Sequence, residues 1–431
     1  MVPEIMELSF NKINKVEGSL LLPGDKSISH RSVIFSALAK GESIIRNLGN
    51  GEDLKSTIRC FSSMGVNFVN QNDNLIVQGL GLKSLKKPLS PLWAGNSGTT
   101  ARLISGILAN QDFDSEITGD ESLSRRPMQR VIDPLTLMGA KIQASPNNTL
   151  PIKIFGSNKM HAIEYEIPVA SAQVKSCIIL SGLHLDNETK VIENIPSRDH
   201  TERMLGLKTS YDRGKKIVEV SKNDFPVADE YYVPGDISTA AFFMPLALLT
   251  PNSELFIKNV SLNETRCGVI TILKAMGGNI EIENVKQNNG EIFGNLLIKT
   301  SKLHNIEILS DIIPNIIDEI PILTIAGILA SGKFSIRNAK ELRGKESDRI
   351  TAICDNLKHL GLKVTEFEDG FEFDGEVNNP FPVFESFEDH RIAMSFGILS
   401  LLLHNGGKVN NFSTVAISNP DFIKQLKTIS R

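Results

Sequence analysis

The chain has 431 residues, of which 41% are hydrophobic and 22% are charged, which is typical of a folded protein with at least two domains. Its 46 basic and 50 acidic residues nearly balance, which excludes a general electrostatic attraction to nucleic acid or to an anionic membrane. The four cysteines are scattered without a C-x-x-C pair, so we expect no disulfide framework, no zinc site and a reducing, cytoplasmic setting.

A local pattern recurs along the chain, in which an apolar helix-like stretch ends at a glycine and a strand-like run follows. The glycines of this pattern are Gly65, Gly139, Gly206, Gly277 and Gly361. Each suits the position just after a helix, where a positive φ lets the chain turn back into a strand. The opening stretch "PGDKSISHRSVIFSALA" is also echoed by "PGDISTAAFFMPLALL" near the middle. We therefore interpret the chain as a duplication with three units in each half.

The polar stretch that ends at the second Pro-Gly-Asp marks the crossover between the halves. The residues before Pro23 alternate in "MELSF" and "GSLLL", which predicts strands that join a sheet of the second half. We predict an α/β (α+β) protein with a first domain over residues 22–235 and a second domain formed by residues 1–21 and 236–431. The two chain crossings would form the hinge between them.

Several predicted helices begin with cations where acids are usual. In "PGDKSISHR", "AGNSGTTARL" and "ASAQVKS", a turn of small polar residues precedes an apolar helix that carries lysine or arginine in its first turns. Because the free N–H groups and the dipole of a helix start attract anions, cations at the same place indicate an anionic ligand. An ordinary N-cap with a surface cation remains an alternative for each motif taken alone.

Three more segments add charge before a predicted helix. "SRRPMQR" is arginine-rich, with Pro127 suited to the first helical position, while "ELRGKESDR" alternates cations with acids and "DHRIAM" precedes a long apolar helix. In "DEIPIL", Asp318 and Glu319 adjoin an apolar helix, where a partly desolvated carboxylate beside cations can act as a general base. Solvated surface charges and an acidic N-cap remain the alternatives.

Eight strings carry a family resemblance, in order from Leu22 to Met394: "LPGDKSISHR", "GNSGTTARL", "RRPMQR", "ASAQVKS", "PGDISTAAFF", "DEIPIL", "LRGKESDR" and "DHRIAM". Together they resemble the 5-enolpyruvylshikimate-3-phosphate (EPSP) synthase family of enolpyruvyl transferases. The resemblance implies two similar domains, each of three βαβαββ repeats around a pseudo-threefold axis, an inside-out α/β barrel. It also implies transfer of the enolpyruvyl group of phosphoenolpyruvate to the 5-hydroxyl of shikimate 3-phosphate in aromatic amino-acid biosynthesis, without metal or organic cofactor.

The resemblance further assigns residues to roles. For shikimate 3-phosphate it implies the ligands Lys26, Ser27, Arg31, Ser171, Ala172, Gln173, Arg198, Asp318 and Lys345. For phosphoenolpyruvate it implies Lys26, Asn96, Gly98, Arg126, Gln173, Arg349 and Arg391. Asp318 is implied as the general base for the 5-hydroxyl, Glu346 as the group that exchanges a proton with the methylene carbon, and Lys26 as the proton donor to the departing phosphate.

The chain departs from common family patterns at two of these places. Ile417 stands at or near the position where many members carry a lysine, so one phosphoenolpyruvate contact is absent or comes from another residue. Ala172 replaces a common serine. Two alternative functions remain: the sister transferase that acts on UDP-N-acetylglucosamine, and a non-catalytic binding protein for phosphorylated metabolites. Members of that sister family typically carry a reactive cysteine on a loop that corresponds to about Asp112 to Arg126, and this chain has no cysteine there. We expect a monomer whose partners are small molecules, not nucleic acid or membrane.

Overall fold

The computed structural model describes residues 7–431 and divides into two compact units. Unit I comprises residues 24–234 and 287–291, and unit II comprises residues 7–23, 235–286 and 292–431. Each unit has its own buried hydrophobic core.

The strands are β1 Glu7–Phe10, β2 Glu17–Leu21, β3 Lys40–Arg46, β4 Asn67–Gln71, β5 Asn74–Leu80, β6 Leu92–Trp93, β7 Ser115–Thr118, β8 Lys141–Ala144, β9 Ile152–Phe155, β10 Glu164–Ile167, β11 Thr189–Glu193, β12 Thr209–Asp212, β13 Lys215–Val220, β14 Glu230–Tyr232, β15 Glu254–Ser261, β16 Asn279–Asn288, β17 Glu291–Lys299, β18 Phe334–Ile336, β19 Lys363–Phe367, β20 Gly370–Asp374, β21 Val383–Glu385 and β22 Gly407–Asn410.

The α-helices are α1 Lys26–Leu38, α2 Glu52–Ser63, α3 Gly98–Leu108, α4 Glu121–Ser124, α5 Gln129–Leu137, α6 Ala172–Gly182, α7 His200–Leu205, α8 Ile237–Leu249, α9 Gly268–Ala275, α10 Ile313–Ile316, α11 Ile320–Leu329, α12 Arg349–His359, α13 His390–Leu402 and α14 Phe422–Ile429. Short 3-10 helices cover Lys222–Asp224, Ser310–Ile312, Lys340–Gly344 and Phe412–Ile417.

Unit I repeats one sheet topology. Its sheets have the strand orders β14-β3-β5-β4, β6-β7-β9-β8 and β10-β11-β13-β12. In each sheet the first pair of strands is parallel and the next two pairings are antiparallel. From β10 to β13 the chain follows the order β-α-β-α-β-β, so the predicted repeat is present in the order of the elements.

Unit II contains sheets of order β16-β17-β15-β2, β18-β20-β19 and β1-β22-β21. Strand β2 pairs in parallel with β15, and β1 pairs antiparallel with β22. The strands predicted near the start of the chain are thus confirmed, and they belong to sheets built by the second half. Met6, the first residue of the predicted "MELSF" strand, lies outside the described residues.

The glycines predicted to end helices do so. Gly65, Gly139, Gly206, Gly277 and Gly361 follow the ends of α2, α5, α7, α9 and α12, with φ between 64° and 100°. The prediction for Pro127 was wrong, because α5 begins only at Gln129 and Met128 is its N-cap. The backbone N–H of Met128 donates to the carbonyl of Asn148 at 2.8 Å, which ties this residue to the loop before β9, and α5 begins after it.

The crossings lie within two residues of the predicted bounds, at 23/24 and 234/235, and one further segment differs from the predicted division of the chain. Residues 287–291, at the turn between β16 and β17, belong to unit I and not to the second domain. Asn288 Oδ1 accepts a hydrogen bond from the N–H of Tyr232 at 2.8 Å, and the Glu291 carboxylate lies 2.8 Å from His200 Nδ1. These contacts join the turn to unit I.

Within residues 7–431, no single helix is long and apolar enough to cross a membrane. One pair of helical segments reaches the length and hydropathy of a membrane span only when the two are taken together, namely Ser310–Ile316 and Ile320–Leu329. The chain bends by 113° between these two segments.

Candidate active site

The start of α1 places two of the predicted cations in unit I. Asp25 caps the helix by accepting a hydrogen bond from the N–H of Ile28 at 3.0 Å. Lys26 is the first helical residue, and its ammonium forms an ion pair with Asp53 on α2. Arg31 lies about one turn further along. The helix therefore begins directly after the Pro-Gly-Asp turn, as the sequence predicted.

Arg31 is buried among neutral oxygens. Its guanidinium donates to Thr201 Oγ1 at 2.7 Å, to Ser176 Oγ at 2.7 Å and to the carbonyl of Ser27 at 2.9 Å. Burial lowers the pKa of the Arg31 guanidinium to about 10, although nearby carboxylates oppose this change. Because Thr201 and Ser176 belong to α7 and α6, Arg31 holds three helices of unit I together.

Two of the predicted phosphoenolpyruvate ligands, Asn96 and Gly98, lie at the start of α3. Ser97 caps the helix, and Asn96 accepts a hydrogen bond from Arg126 at 2.7 Å while its amide donates to Asp120 at 2.8 Å. Arg126 Nε is buried and has no hydrogen-bond partner among residues 7–431. A guanidinium donor is therefore left for a ligand.

Gly98 leaves little space beside its backbone. A Cβ atom at this position would lie 2.9 Å from Arg102 Nη1, which is closer than real Cβ atoms approach their neighbours. The same Nη1 donates to Gln173 Oε1 at 2.6 Å, and Gln173 Nε2 donates to Thr99 Oγ1 at 3.0 Å. These bonds bring Gln173, in the first turn of α6, next to the start of α3.

The remaining predicted residues of unit I lie at the start of α6 and in the loop before α7. Ser171 is the N-cap of α6, with its hydroxyl 3.4 Å from the N–H of Val174, and Ala172 is the first helical residue. Arg198 lies in the loop before α7 and is close enough to lower the pKa of Arg31 by charge repulsion. The predicted shikimate-phosphate ligands of unit I therefore gather around the starts of α1 and α6.

A buried ion cluster lies behind this region. The Lys175 ammonium, fully buried, is 2.7 Å from a carboxylate oxygen of Glu193 and 2.7 Å from one of Glu202. Lys216 is 3.0 Å from the same oxygen of Glu202. Burial alone would raise the pKa of the Glu202 carboxyl, but Lys175 and Lys216 outweigh it and lower that pKa. The cluster ties α6 to β11, α7 and β13.

Unit II gathers cations around Asp318. A carboxylate oxygen of Asp318 lies 3.4 Å from Lys345 Nζ and 3.3 Å from Arg349 Nη1, and the other lies 3.9 Å from Arg391 Nη2. Arg391 also donates to the backbone carbonyl of Asp318 at 2.9 Å. The Asp318 side chain is only 13% exposed, so the group combines partial burial with three nearby cations.

Arg349 is the fully buried member of the unit II group. It donates to Asp389 at 2.7 Å and to Glu346 at 2.6 Å in addition to its contact with Asp318. Burial alone would lower the pKa of the Arg349 guanidinium, but Asp389, followed by Glu346 and Asp318, raises it. Asp348 and Asp389 cap α12 and α13, which fixes Arg349 and Arg391 in the first turns of these helices.

Sequence reasoning missed the residues that hold these cations in place. Asp53 pairs with Lys26, and Asp389 pairs with Arg349, although neither was assigned to the site. Asp389 carried a usable signal, because it directly precedes His390 and Arg391 at a helix start. Ile417 ends a 3-10 helix and brings no cation. In the part of the chain that the structure describes, no three His, Cys, Asp or Glu side chains are grouped as a metal site.

Comparison with known proteins identifies relatives over almost the whole chain. The family model described as EPSP synthase (3-phosphoshikimate 1-carboxyvinyltransferase) matches residues 10–426. A 3-phosphoshikimate 1-carboxyvinyltransferase of Alkaliphilus metalliredigens is 45% identical over 98% of this chain and 99% of its own length. One of Vesicomyosocius okutanii is 46% identical over 96% of this chain and 95% of its own.

Solved structures agree with these matches. The EPSP synthase of Acinetobacter baumannii superposes with a TM-score of 0.86 at 42% identity, over 98% of this chain and 97% of that one. The enolpyruvyl transferase NikO of Streptomyces tendae has a TM-score of 0.76 at 12% identity, over 99% of this chain and 97% of that one, which bears on the fold alone. The predicted fold class is thereby confirmed.

Proposed function

The chain belongs to the EPSP synthase family and transfers the enolpyruvyl group of phosphoenolpyruvate to the 5-hydroxyl of shikimate 3-phosphate, releasing phosphate, and we propose how its residues divide this work. One observation carries the division of roles. The predicted residues of unit I are mostly cations and polar groups at helix starts, whereas unit II adds carboxylates that can move protons. We assign anion binding mainly to unit I and acid–base chemistry mainly to unit II.

In this proposal the phosphate of shikimate 3-phosphate binds at the start of α6. Ser171 and Gln173 present a hydroxyl and an amide there, and Arg31 and Arg198 supply positive charge. A phosphate that accepts charge-assisted hydrogen bonds from a helix start and from guanidinium groups is held strongly and in a fixed orientation. This orientation directs the 5-hydroxyl of the ring to the reaction.

Phosphoenolpyruvate is held by the other arginines. Arg126 has a buried donor without a partner among the described residues, which supports its assignment to this anion. Arg349 and Arg391 contact Asp318 directly, so a substrate carboxylate that binds them has to share or replace those contacts. Guanidinium groups preorganised in this way stabilise charge that develops during addition.

The reaction proceeds by addition and elimination. Asp318 takes the proton of the 5-hydroxyl while the hydroxyl oxygen bonds to C2 of phosphoenolpyruvate. Glu346 donates a proton to the methylene carbon, which becomes a methyl group. The product of this addition is a tetrahedral intermediate. The methyl group then returns a proton to Glu346, the C–O bond to phosphate breaks, and Lys26 protonates the leaving phosphate. The products are the enol ether and inorganic phosphate, and the proton from the 5-hydroxyl balances the one that Lys26 supplies.

We also propose a monomeric enzyme in the cytoplasm. The cysteines are free, and burial raises the pKa of the Cys60 and Cys177 thiols to about 12, which suits unreactive thiols in a reducing compartment. Light scattering on the purified chain tests the monomer.

Phosphate release measures the proposed activity directly. The purified chain is incubated with phosphoenolpyruvate and either shikimate 3-phosphate or UDP-N-acetylglucosamine. We expect phosphate to be released only with shikimate 3-phosphate. Release with UDP-N-acetylglucosamine would indicate the sister transferase, and binding of shikimate 3-phosphate without release would indicate a non-catalytic binding protein.

A further inference from the structure

Helix α2 carries none of the predicted substrate ligands, yet it lies between two helices that do. A row of hydrogen bonds crosses it inside unit I: His30 Nδ1 on α1 is 2.8 Å from Thr57 Oγ1 on α2, and Thr57 Oγ1 is 2.7 Å from Thr100 Oγ1 on α3. Thr100 Oγ1 donates in turn to Ser97 Oγ at 2.7 Å. Ser97 is the N-cap of α3, directly before Gly98.

The protons of this row have a fixed direction. A hydroxyl has one proton, and Thr100 uses its proton for Ser97, with the carbonyl of Asp53 as a second acceptor at 3.4 Å. Thr57 must therefore donate to Thr100, and His30 must donate to Thr57 from a protonated Nδ1. Burial lowers the pKa of His30 to about 3, so the ring is neutral and its Nε2 carries no proton.

Burial makes this row costly to interrupt. His30, Thr57 and Thr100 are all fully buried, and His30 Nε2 has no hydrogen-bond partner within residues 7–431. If one hydroxyl is removed, the neighbouring polar atoms cannot turn to water, and the lost bond leaves them unsatisfied. The row therefore favours one relative position of α1, α2 and α3.

A second link from α2 acts on the same two helices. The Asp53 carboxylate pairs with the ammonium of Lys26 at the start of α1, and its backbone carbonyl faces Thr100 on α3. Asp53 and Thr57 are one turn apart on α2, so both links leave the same face of this helix. The first two turns of α2 thus contact α1 and α3 at two levels.

We propose that His30, Thr57 and Thr100 are positioning residues of the active site, which fix the start of α1, with Lys26, relative to the start of α3, with Gly98. The proposal rests on the proposed function, because it assigns both helix starts to substrate anions. Lys26 is assigned to both substrates, so its distance from the phosphoenolpyruvate ligands on α3 must be set by the protein. Misplacement of such groups by about 1 Å can cost about a hundredfold in rate.

Thr57→Val tests the row, since it removes the hydroxyl and keeps the shape of the side chain. We expect kcat/KM for phosphoenolpyruvate to fall about ten- to hundredfold, with a rise in KM for both substrates. Thr57→Ser restores the hydroxyl and should recover most of the loss. The matched control is Thr189→Val, at a fully buried threonine of unit I whose hydroxyl has no hydrogen-bond partner in the described part of the chain.

Two further measurements separate positioning from a merely structural role. A structural role predicts that Thr57→Val loses stability in urea while its folded fraction keeps wild-type KM values, and this result would overturn the proposal. If Thr57→Val does not fold, Thr100→Ala is the alternative, since it removes the hydroxyl that connects Thr57 with Ser97. This variant must show the same rise in KM. The ¹⁵N chemical shifts of the His30 ring should report a protonated Nδ1 in the wild type. A wild-type ring that is protonated at Nε2 would also overturn the proposal.

Failure of this proposal can be distinguished from failure of the proposed function. The wild-type chain must release phosphate from the two substrates for the proposed function to hold, whatever the variants do. An active wild type with unaffected Thr57→Val kinetics would reject only the role of α2. An inactive wild type with intact binding of shikimate 3-phosphate would reject the transferase activity, and Thr57→Val should then still weaken that binding.

Discussion

His30 should make unit I sensitive to mild acid. Burial lowers the pKa of the His30 imidazole to about 3. The neighbouring charge of Asp53 opposes this change, and the charge of Lys26 adds to it. In the unfolded chain the same ring takes up a proton below about pH 6.5. Between pH 6.5 and pH 3 the unfolded state therefore binds more protons than the folded state, so the free energy of unfolding decreases as the pH falls through this range.

The size of the effect follows from these two pKa values. Between pH 7 and pH 5 the unfolded ring becomes almost fully protonated while the folded ring stays neutral, which costs about 2 kcal/mol of unfolding free energy. His184 adds a similar loss, because burial lowers its pKa to about 4. A variant is therefore needed to isolate the part that belongs to His30.

Urea unfolding followed by tryptophan fluorescence provides the assay. Trp93 is the single tryptophan of the chain and lies in unit I with His30, so its emission reports the unfolding of that unit. We expect His30→Asn to be less stable than the wild type at pH 7 but to lose about 2 kcal/mol less between pH 7 and pH 5. His404→Asn, at an exposed histidine, is the control. Equal losses in the wild type and in His30→Asn would refute the reasoning.

Three other substitutions, the last with a control variant, test the site and its support. Asp318→Asn should lower kcat by about a hundredfold or more with little change in KM, as for the loss of a general base, and near-normal turnover would remove Asp318 from that role. Gly98→Ala should displace the guanidinium of Arg102, which lies 2.9 Å from the new Cβ, and raise KM for phosphoenolpyruvate about tenfold; an unchanged KM would show that this space is not needed. Lys175→Met should destabilise unit I by about 3–5 kcal/mol in the urea assay, because it leaves buried carboxylates without their cation. Lys208→Met, at an exposed lysine whose partner Glu219 also pairs with Lys190, should change stability by less than about 1 kcal/mol, and equal effects would deny the cluster its role.

The sequence predicted those parts of the fold that depend on local backbone chemistry. Gly65 and Gly277 follow helix ends at φ of 93° and 100°, where other residues are strained, so the glycine itself marks the turn. The caps at Asp25 and Ser171 are local in the same way, because each accepts a bond from an N–H three residues ahead. Repeat order and helix starts could therefore be predicted from short stretches of sequence.

The contacts that organise the site depend on distant parts of the chain and could not be predicted in this way. Asp53 neutralises Lys26 from another helix, and nothing in its own stretch distinguishes it from a solvated acid of a first turn. The turn that contains Glu291 likewise joins unit I through His200, a partner that no local pattern indicates. Pro127 shows the opposite failure, since a suitable local signal is present but α5 begins two residues later, after Met128 has bonded to the distant Asn148.

The partners of the cations also separate two kinds of anion site. Arg349 bonds to carboxylates within unit II, so a substrate that binds it competes with charges already present. The hydrogen bonds of Arg31 go to two hydroxyls and a carbonyl, so among residues 7–431 no acid bonds directly to its positive charge. A buried cation with neutral partners is costly to desolvate, and a bound dianion reduces that cost. The two arrangements suit different tasks, because Arg31 favours tight binding of a phosphate, whereas Arg349 and Asp318 can exchange partners as charge moves during the reaction.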